Sequence, residues 1–235
     1  MELQAIYLLA DSQLLFWRQD GKLFIDNIRS SIGHDSPKAA YVGASNGDNP
    51  DYYSLFVAAM HGIGIRQCRM IPSSLSTDDL TFINEADIIL LAGGDVERGL
   101  NAFEQNGLKE LIFRRYFEGV ILIGISAGAV QLGLFGWKEE EGLASMNLIQ
   151  TLRLVPFIVS AHDEKRDWAS LKKAVQMAGV NVRGIGIPHG GGAIFRMDQS
   201  LEPIRFSIRE FIMRENEIED NVLIPGIPSQ GVSNS

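Results

Sequence analysis

The chain has 235 residues, of which 46% are hydrophobic, and it carries a formal net charge of −8 at pH 7 with a pI of about 5.0. This composition fits a globular α/β protein with a substantial core, and it gives no electrostatic reason for binding nucleic acid or an anionic membrane. A single cysteine, Cys68, excludes an internal disulfide, and no apolar run is long enough to span a bilayer. We therefore expect a soluble, cytoplasmic protein.

Apolar runs of strand length alternate with amphipathic stretches of helix length over the first half of the chain. Strands are predicted at Ala5–Ala10, Lys38–Ala44, Ile65–Ile71, Asp87–Ala92 and Val120–Ile123. Helices are predicted at Phe16–Ser31, Tyr52–Gly62, Ser76–Asn84 and Val96–Tyr116, the last with a break at Asn106-Gly107. Continuously apolar strands separated by helices predict a three-layer α/β fold, in which a mostly parallel sheet is covered by helices on both faces.

The second half of the chain has fewer helical stretches. Its predicted elements are a polar loop at Trp137–Gly142, an apolar run at Leu152–Ser160, a helix at Asp167–Ala178, and strands at Arg183–Ile187, Ala193–Met197 and Pro203–Ile208. No composition shift indicates a domain boundary, so we predict one domain over residues 1–224. The tail at 225–235 is rich in Pro, Gly and Ser, and we expect it to be mobile.

The segment Gly124-Ile125-Ser126-Ala127-Gly128 is the most informative part of the sequence. It follows the apolar run that ends at Ile123 and precedes a short run of helix-compatible residues. A strand, a sharp turn with serine at its tip and a helix form the arrangement that presents a nucleophilic serine, and the turn needs small residues on both sides. The alternative is an ordinary strand–helix turn whose serine caps the helix.

Polar and glycine residues follow several of the predicted strands. Asp11, Ser45 and the pair Gly93-Gly94 come directly after three of them, and Ser126 comes after the fifth. Because chemistry in an open parallel sheet gathers beyond the carboxyl ends of the strands, we expect these residues to line one cleft. A backbone amide of the Gly93-Gly94 loop and that of Ala127 would form an oxyanion hole beside Ser126, unless the glycine loop is only a strand-end turn.

A serine hydroxyl needs a neighbouring base, and the chain has four histidines. His34 lies in a surface loop and His61 ends a predicted helix, where a cation suits the helix dipole. His162 and His189 each begin a loop after an apolar run, which is where catalytic bases are found. These two are the candidate bases for Ser126.

At these residues the chain resembles dipeptidase E and cyanophycinase, a family of serine peptidases on a flavodoxin-like, class I glutamine-amidotransferase-like fold. The resemblance covers most of the chain, and four segments carry it: Ala86–Asp95, Gly124–Ala129, Ser160-Ala161-His162 and Gly184–Gly190. It implies that Ser126 is the nucleophile, that His162 is the general base, and that Gly94 and Ala127 supply oxyanion amides. The implied substrate is a small acidic peptide with an aspartyl or isoaspartyl residue.

His189 departs from the family pattern, because the family has a base-orienting glutamate at this position. An imidazole can accept a hydrogen bond from the base but does not stabilise the imidazolium as a carboxylate does. His189 could complete a Ser–His–His triad, or a carboxylate from Asp163, Glu164 or Asp167 could replace the glutamate. The third outcome is that the chain has lost catalysis and is a ligand-binding homologue.

The substrate-binding residues follow from the same resemblance. An acidic substrate implies a cation near the base, which makes Lys165 and Arg166 candidates, and Asp95 beside Gly94 is a further candidate. A solvated charge cluster at a helix start is the alternative. A homodimer is an open alternative for the oligomeric state.

The same serine could also belong to a different catalytic triad, that of another class of enzyme. The order Ser126, Asp163, His189 is that of an α/β-hydrolase esterase, in which His189 would be the base and His162 dispensable. The histidines lack metal-ligand spacing, and no phosphate-binding glycine motif is present. We therefore predict neither a metal nor a cofactor.

Overall fold

The computed structural model describes residues 3–140, 142–215 and 217–226. Its strands are β1 (Ile6–Leu9), β2 (Arg18–Gln19), β3 (Lys22–Leu23), β4 (Lys38–Val42), β5 (Gln67–Ile71), β6 (Ile88–Leu91), β7 (Ile121–Ile125), β8 (Phe135–Glu139), β9 (Met146–Gln150), β10 (Ile158–Ala161), β11 (Arg183–Ile187), β12 (Gly192–Phe195), β13 (Leu201–Ile204), β14 (Ile208–Arg214) and β15 (Glu217–Leu223). Its helices are α1 (Asp26–Ser30), α2 (Pro50–Gly62), α3 (Thr77–Glu85), α4 (Val96–Asn106), α5 (Leu108–Phe117), α6 (Ala127–Leu132) and α7 (Ala169–Ala178).

The central sheet has the order β13-β12-β1-β7-β6-β4-β5 within the described residues. Neighbouring strands pair in parallel from β1 through β7, β6 and β4 to β5. In contrast, β12 and β13 are antiparallel and form one edge of the sheet. Alternate side chains of β1 pack on opposite faces, with Leu8 in one apolar cluster and Leu9 in the other. Phe103 of α4 belongs to the first cluster and Phe56 of α2 to the second. The predicted fold, a mostly parallel sheet with helices on both faces, is confirmed.

A smaller sheet carries the second part of the site. Its order is β10-β11-β14-β15, with β10 and β11 parallel and the other pairs antiparallel. Helix α7 packs on it through Leu171 and Val175, whose side chains fill the space beside Gly184. The parallel pair β10 and β11 brings the loops that contain His162 and His189 to the same edge.

Three local predictions are wrong, and one of them is the strand at Pro203–Ile208, because the chain turns at Arg205, with a φ of 67°, between β13 and β14. The stretch Phe16–Ser31 is not one helix, because β2 and β3 form a hairpin and only α1 is helical. Asp20 and Gly21 both adopt positive φ at the hairpin turn. The preference of an Asp-Gly pair for such a turn overrides the helical pattern of the surrounding residues. The predicted polar loop at Trp137–Gly142 begins as strand instead, because β8 pairs with β9 along its length.

The predicted mobile tail falls largely on residues 227–235, which lie outside the described part of the chain. In the part that is described, no helix has the length and apolar character needed to cross a bilayer.

Candidate active site

Ser126 occupies the sharp turn between β7 and α6 in a strained conformation, with φ 50° and ψ −109°. Its amide donates to the carbonyl oxygen of Leu9 on the neighbouring strand at 2.8 Å. A Cβ at Gly124 would lie 2.6 Å from the carbonyl oxygen of Gly128, and one at Gly128 would lie under 3.0 Å from the carbonyl of Leu91. The two glycines that flank Ser126 are therefore required by the turn, and the surrounding structure holds the serine in a conformation that costs about 1–3 kcal/mol.

His162 reaches this turn from the smaller sheet. It follows β10 with a positive φ of 46°, and its amide donates to the carbonyl oxygen of Ile187 at 2.9 Å. Its Nε2 lies 2.8 Å from Ser126 Oγ. With the ring proton on Nδ1, the hydroxyl donates to Nε2, which is the arrangement needed for removal of the hydroxyl proton.

His189 lies in the loop after β11 and contacts a different set of residues. Its Nδ1 is 3.1 Å from Asp11 Oδ2 and its Nε2 is 2.8 Å from the side-chain nitrogen of Gln13. In the neutral ring with a proton on Nδ1, both nitrogens are satisfied by these contacts. Within the described residues, the His189 ring forms no hydrogen bond to Ser126 or His162. These contacts differ from those that both sequence-derived roles require, third triad member and esterase base, and this geometry supports neither role.

The three carboxylates after His162 have different surroundings. Glu164 accepts from the His189 amide at 3.3 Å, and the exposed Asp167 pairs with Lys172. Asp163 is 16% exposed, and its Oδ2 is buried without a hydrogen-bond partner in the described structure. Burial raises the pKa of Asp163 above its usual value, an effect that the nearby positive charge of Arg166 opposes. Asp163 is therefore the carboxylate with an unused oxygen next to His162.

The glycine loop after β6 lies against the serine turn. A Cβ at Gly93 would be 3.4 Å from the Ser126 Cβ, and Gly94 has a φ of +135° that only glycine adopts freely. A Cβ at Gly94 would also collide with the carbonyl of Ser45. Within the described residues, the amides of Gly94 and Ala127 form no hydrogen bond to another backbone group. Their assignment to an oxyanion hole stays a prediction.

The three predicted substrate-binding residues have other contacts. Asp95 caps α4, because its Oδ1 accepts from the Arg98 amide at 2.7 Å. Arg166 lies 3.2 Å from Glu139 and 3.8 Å from Asp163, and the exposed Lys165 is on the same short 3₁₀ turn. None of the three lines the cavity beside Ser126. Their assignment to substrate binding has no support from this geometry.

A buried amide behind the serine turn was missed by the sequence analysis. Gln131 of α6 is fully buried, and its Nε2 donates to Ser45 Oγ at 2.9 Å and to the Val96 carbonyl oxygen at 3.1 Å. A Cβ at Gly99 would collide with both side chains. These hydrogen bonds connect α6 to Ser45, which follows β4, and to Val96, the first residue of α4. The only available signal was a glutamine within an apolar helix, Ala129-Val130-Gln131-Leu132.

A cavity of about 350 Å³ opens beside Ser126. Ser126, His162, Gly93 and Gly94 stand at one end of it, and Asp11 lies on its wall. Most of the remaining lining is apolar and aromatic, including Leu15, Tyr41, Leu55, Phe56, Leu90 and Ile125. A concave site of this size suits a small ligand. Among the described residues, no three His, Cys, Asp or Glu side chains are grouped to hold a metal ion.

The chain is similar in sequence to a curated protein over about half of its length. The chain is 27% identical over 130 residues to an uncharacterized peptidase, YgaJ, of Bacillus subtilis (strain 168), an alignment that covers 53% of this chain and 52% of that protein. The chain thus matches about half the length of that curated relative.

Two solved structures share the fold at low sequence identity. A peptidase from an acI-B1 Actinobacterium has a TM-score of 0.66 at 15% identity, with 96% of each chain covered. A putative peptidase E protein from Listeria monocytogenes EGD-e has a TM-score of 0.57 at 13% identity, covering 94% of this chain and 100% of that one.

The family assignment rests on the sequence itself. The model of peptidase family S51 matches residues 8–204, which contain the Ser126 turn, the Gly93-Gly94 loop and both late histidines. This match covers most of the chain, and it agrees with the resemblance to dipeptidase E. The chain belongs to peptidase family S51, the dipeptidase E family of serine peptidases.

Proposed function

We propose that this chain is a serine-type peptidase for small peptides, in which Ser126 forms an acyl-enzyme and His162 is the general base. The observation that carries the proposal is the 2.8 Å contact between Ser126 Oγ and His162 Nε2, formed by a serine in a strained turn. Strained serine backbones beside an imidazole are typical of activated nucleophiles.

The reaction follows from the positions of these groups. His162 Nε2 takes the hydroxyl proton as Ser126 Oγ attacks the scissile carbonyl carbon, and the resulting oxyanion is stabilised by the amides of Gly94 and Ala127. His162 then gives the proton to the leaving amine. In the second half, His162 takes a proton from water, which attacks the acyl carbon. The bond from that carbon to Ser126 Oγ then breaks, His162 returns the proton to Oγ, and the peptide acid is released.

The acidic substrate expected from the resemblance is not part of this proposal. The cation that an acidic substrate requires was assigned to Lys165 or Arg166, and neither side chain lines the cavity. Arg166 is already paired with Glu139.

The base is oriented mainly by its backbone. The backbone of His162 is held by the hydrogen bond from its amide to the Ile187 carbonyl oxygen and by its positive φ. No carboxylate in the described residues accepts a hydrogen bond from His162 Nδ1. The proposed machinery is therefore a Ser–His pair, with Asp163 supplying a nearby negative charge that favours the imidazolium form.

The test of this function is covalent labelling by a fluorophosphonate. We expect the wild-type protein to gain one adduct that peptide mapping by mass spectrometry places on Ser126. The variant Ser126→Ala, which removes only the hydroxyl, should fold as the wild type by circular dichroism and gain no adduct. A folded wild-type protein that is not labelled would overturn the proposal in favour of a non-catalytic binding protein.

The replacement Asp163→Asn should raise stability and lower activity. Because the native pKa of Asp163 lies above its usual value, folding favours the protonated acid, and the ionised native state at neutral pH carries the cost. We expect the variant to melt about 2 °C higher at pH 7. This advantage should fade as the pH falls through the native pKa. Loss of the negative charge near His162 should lower kcat/KM about fivefold, or about 1 kcal/mol.

Thermal unfolding from pH 4 to pH 7 and steady-state kinetics measure the two effects. Asp167→Asn is the matched control, since Asp167 is exposed and pairs with Lys172 away from the cavity. Equal effects of both replacements on activity would show that Asp163 has no specific role.

A further inference from the structure

We infer that the cavity beside Ser126 binds an apolar or aromatic side chain from the acyl side of the scissile bond. This specificity rests on the proposed function, because it defines an acyl side only if Ser126 is the nucleophile. It differs from the acidic specificity that the resemblance to dipeptidase E implies. Three features of the structure support it: the side of the sheet on which the cavity lies, the chemistry of its wall, and the exposed apolar residues at its mouth.

The cavity begins at Ser126 and His162 and extends along the α2 face of the central sheet, whereas the strand that carries His162 packs on the other face. Phe56, Leu90 and Ile125 of the cavity wall belong to the apolar cluster on the α2 face. His162 comes from β10, whose Val159 belongs to the cluster on the other face. The base must protonate the leaving amine, so the leaving group lies on the His162 side of Ser126. The acyl side chain then points toward the cavity.

The wall of the cavity has little to offer a charged side chain. None of the described residues that line it is Lys or Arg. Its polar side chains are neutral apart from Asp11 and His162, and the Tyr41 hydroxyl among them accepts a hydrogen bond from Asn46 Nδ2 at 2.8 Å. A substrate carboxylate placed here would lose its hydration without gaining a Lys or Arg partner from the described lining, which is unfavourable.

Asp11 adds an electrostatic argument against an acidic side chain. Its Oδ1 accepts from the Gln13 amide, and its Oδ2 accepts from the Gly190 amide and lies 3.1 Å from His189. The carboxylate is held at the wall of the cavity by these contacts. A second negative charge in the same enclosed space would be repelled.

The mouth of the cavity carries two large apolar residues that are exposed. On α2, Tyr52 is 53% exposed and Leu55 is 43% exposed, and both line the cavity. An apolar ligand group would cover them and gain the free energy of removing that surface from water. The two side chains thus extend the apolar wall to where a substrate enters.

Two phosphonate probes measure this specificity at the acyl step alone. Diphenyl esters of the aminoalkylphosphonates that correspond to Phe and Asp differ only in the side chain that enters the acyl site. Each reacts by attack of Ser126 Oγ on phosphorus, loss of phenoxide and transfer of the hydroxyl proton to His162. We expect the Phe probe to label Ser126 at least about tenfold faster than the Asp probe, the size of effect that a single apolar group gives in a pocket.

A charge placed at the mouth sharpens the test. Leu55→Arg changes an exposed residue of the cavity, and we expect it to reduce the Phe-to-Asp rate ratio at least about fivefold. Leu80→Arg is the matched control, because Leu80 is 39% exposed on α3 and does not line the cavity. The ratio should be unchanged in this control.

The outcomes separate this inference from the proposed function. If a simple fluorophosphonate labels Ser126 but the Asp probe reacts as fast as the Phe probe, or neither reacts, the apolar specificity is wrong and the serine peptidase proposal stands. An unchanged ratio in Leu55→Arg would also contradict the role of the cavity. If no probe of any kind labels folded protein, the proposed function fails and this inference fails with it.

Discussion

Replacing His162 by alanine should lower kcat/KM for a small peptide by about 10⁴-fold or more, whereas His189→Ala should retain most of the activity. The reason is that Ser126 Oγ lies 2.8 Å from His162 Nε2. A serine without its base loses nearly all of the advantage of the catalytic unit. Steady-state kinetics on the two purified variants measures the difference.

His189→Ala should affect stability instead. The replacement removes the contacts to Asp11 and Gln13, which join the loops after β1 and β11. We expect its melting temperature to fall by about 2–4 °C. His34→Ala is the matched control, because His34 is exposed and pairs with Asp87 away from the serine turn. A loss of activity in His189→Ala as large as in His162→Ala would restore the Ser–His–His triad.

Replacing Gly128 by alanine should lower both stability and activity, because the added methyl group would collide with the backbone of a neighbouring strand. A Cβ at this position would lie under 3.0 Å from the carbonyl of Leu91 on β6, and neither β6 nor α6 can shift without moving Ser126. We expect a loss of about 3 kcal/mol of stability and at least a 100-fold loss of kcat/KM in the fraction that folds. Chemical denaturation and kinetics measure these effects.

Gly33→Ala is the matched control for this replacement. A Cβ at Gly33 would meet nothing within 4 Å, and no positive φ is required there. Its stability should be unchanged or slightly raised. If Gly128→Ala behaved like this control, the close packing of the serine turn against β6 would not be needed for function.

Local patterns were sufficient to predict the serine turn and the central sheet. Gly124 and Gly128 flank the serine at the spacing the turn requires, and the apolar run before them has the length of a buried strand. His162 and His189 could be selected as candidate bases because each begins a loop after an apolar run, and the family resemblance then chose His162. In each case the local signal lies within about ten residues of the feature it predicts.

Contacts between distant parts of the chain could not be predicted in this way. His189 meets Asp11 and Gln13, which are more than 170 residues away along the chain. The apolar cavity combines Leu15 with Phe56 and Leu90, which come from three separate elements. The smaller sheet was missed for the same reason, because β10 and β11 pair across the whole of α7. Pairing of this kind depends on tertiary packing rather than on local propensity.

The rate at which a fluorophosphonate modifies Ser126 tests the Ser126–His162 pair most directly, because no leaving amine and no deacylation step contribute to it. We expect the wild type and His189→Ala to be labelled at similar rates and His162→Ala to be labelled at least about 100-fold more slowly. Labelling of Ser126 in His162→Ala at the wild-type rate would contradict the assignment of His162 as the base.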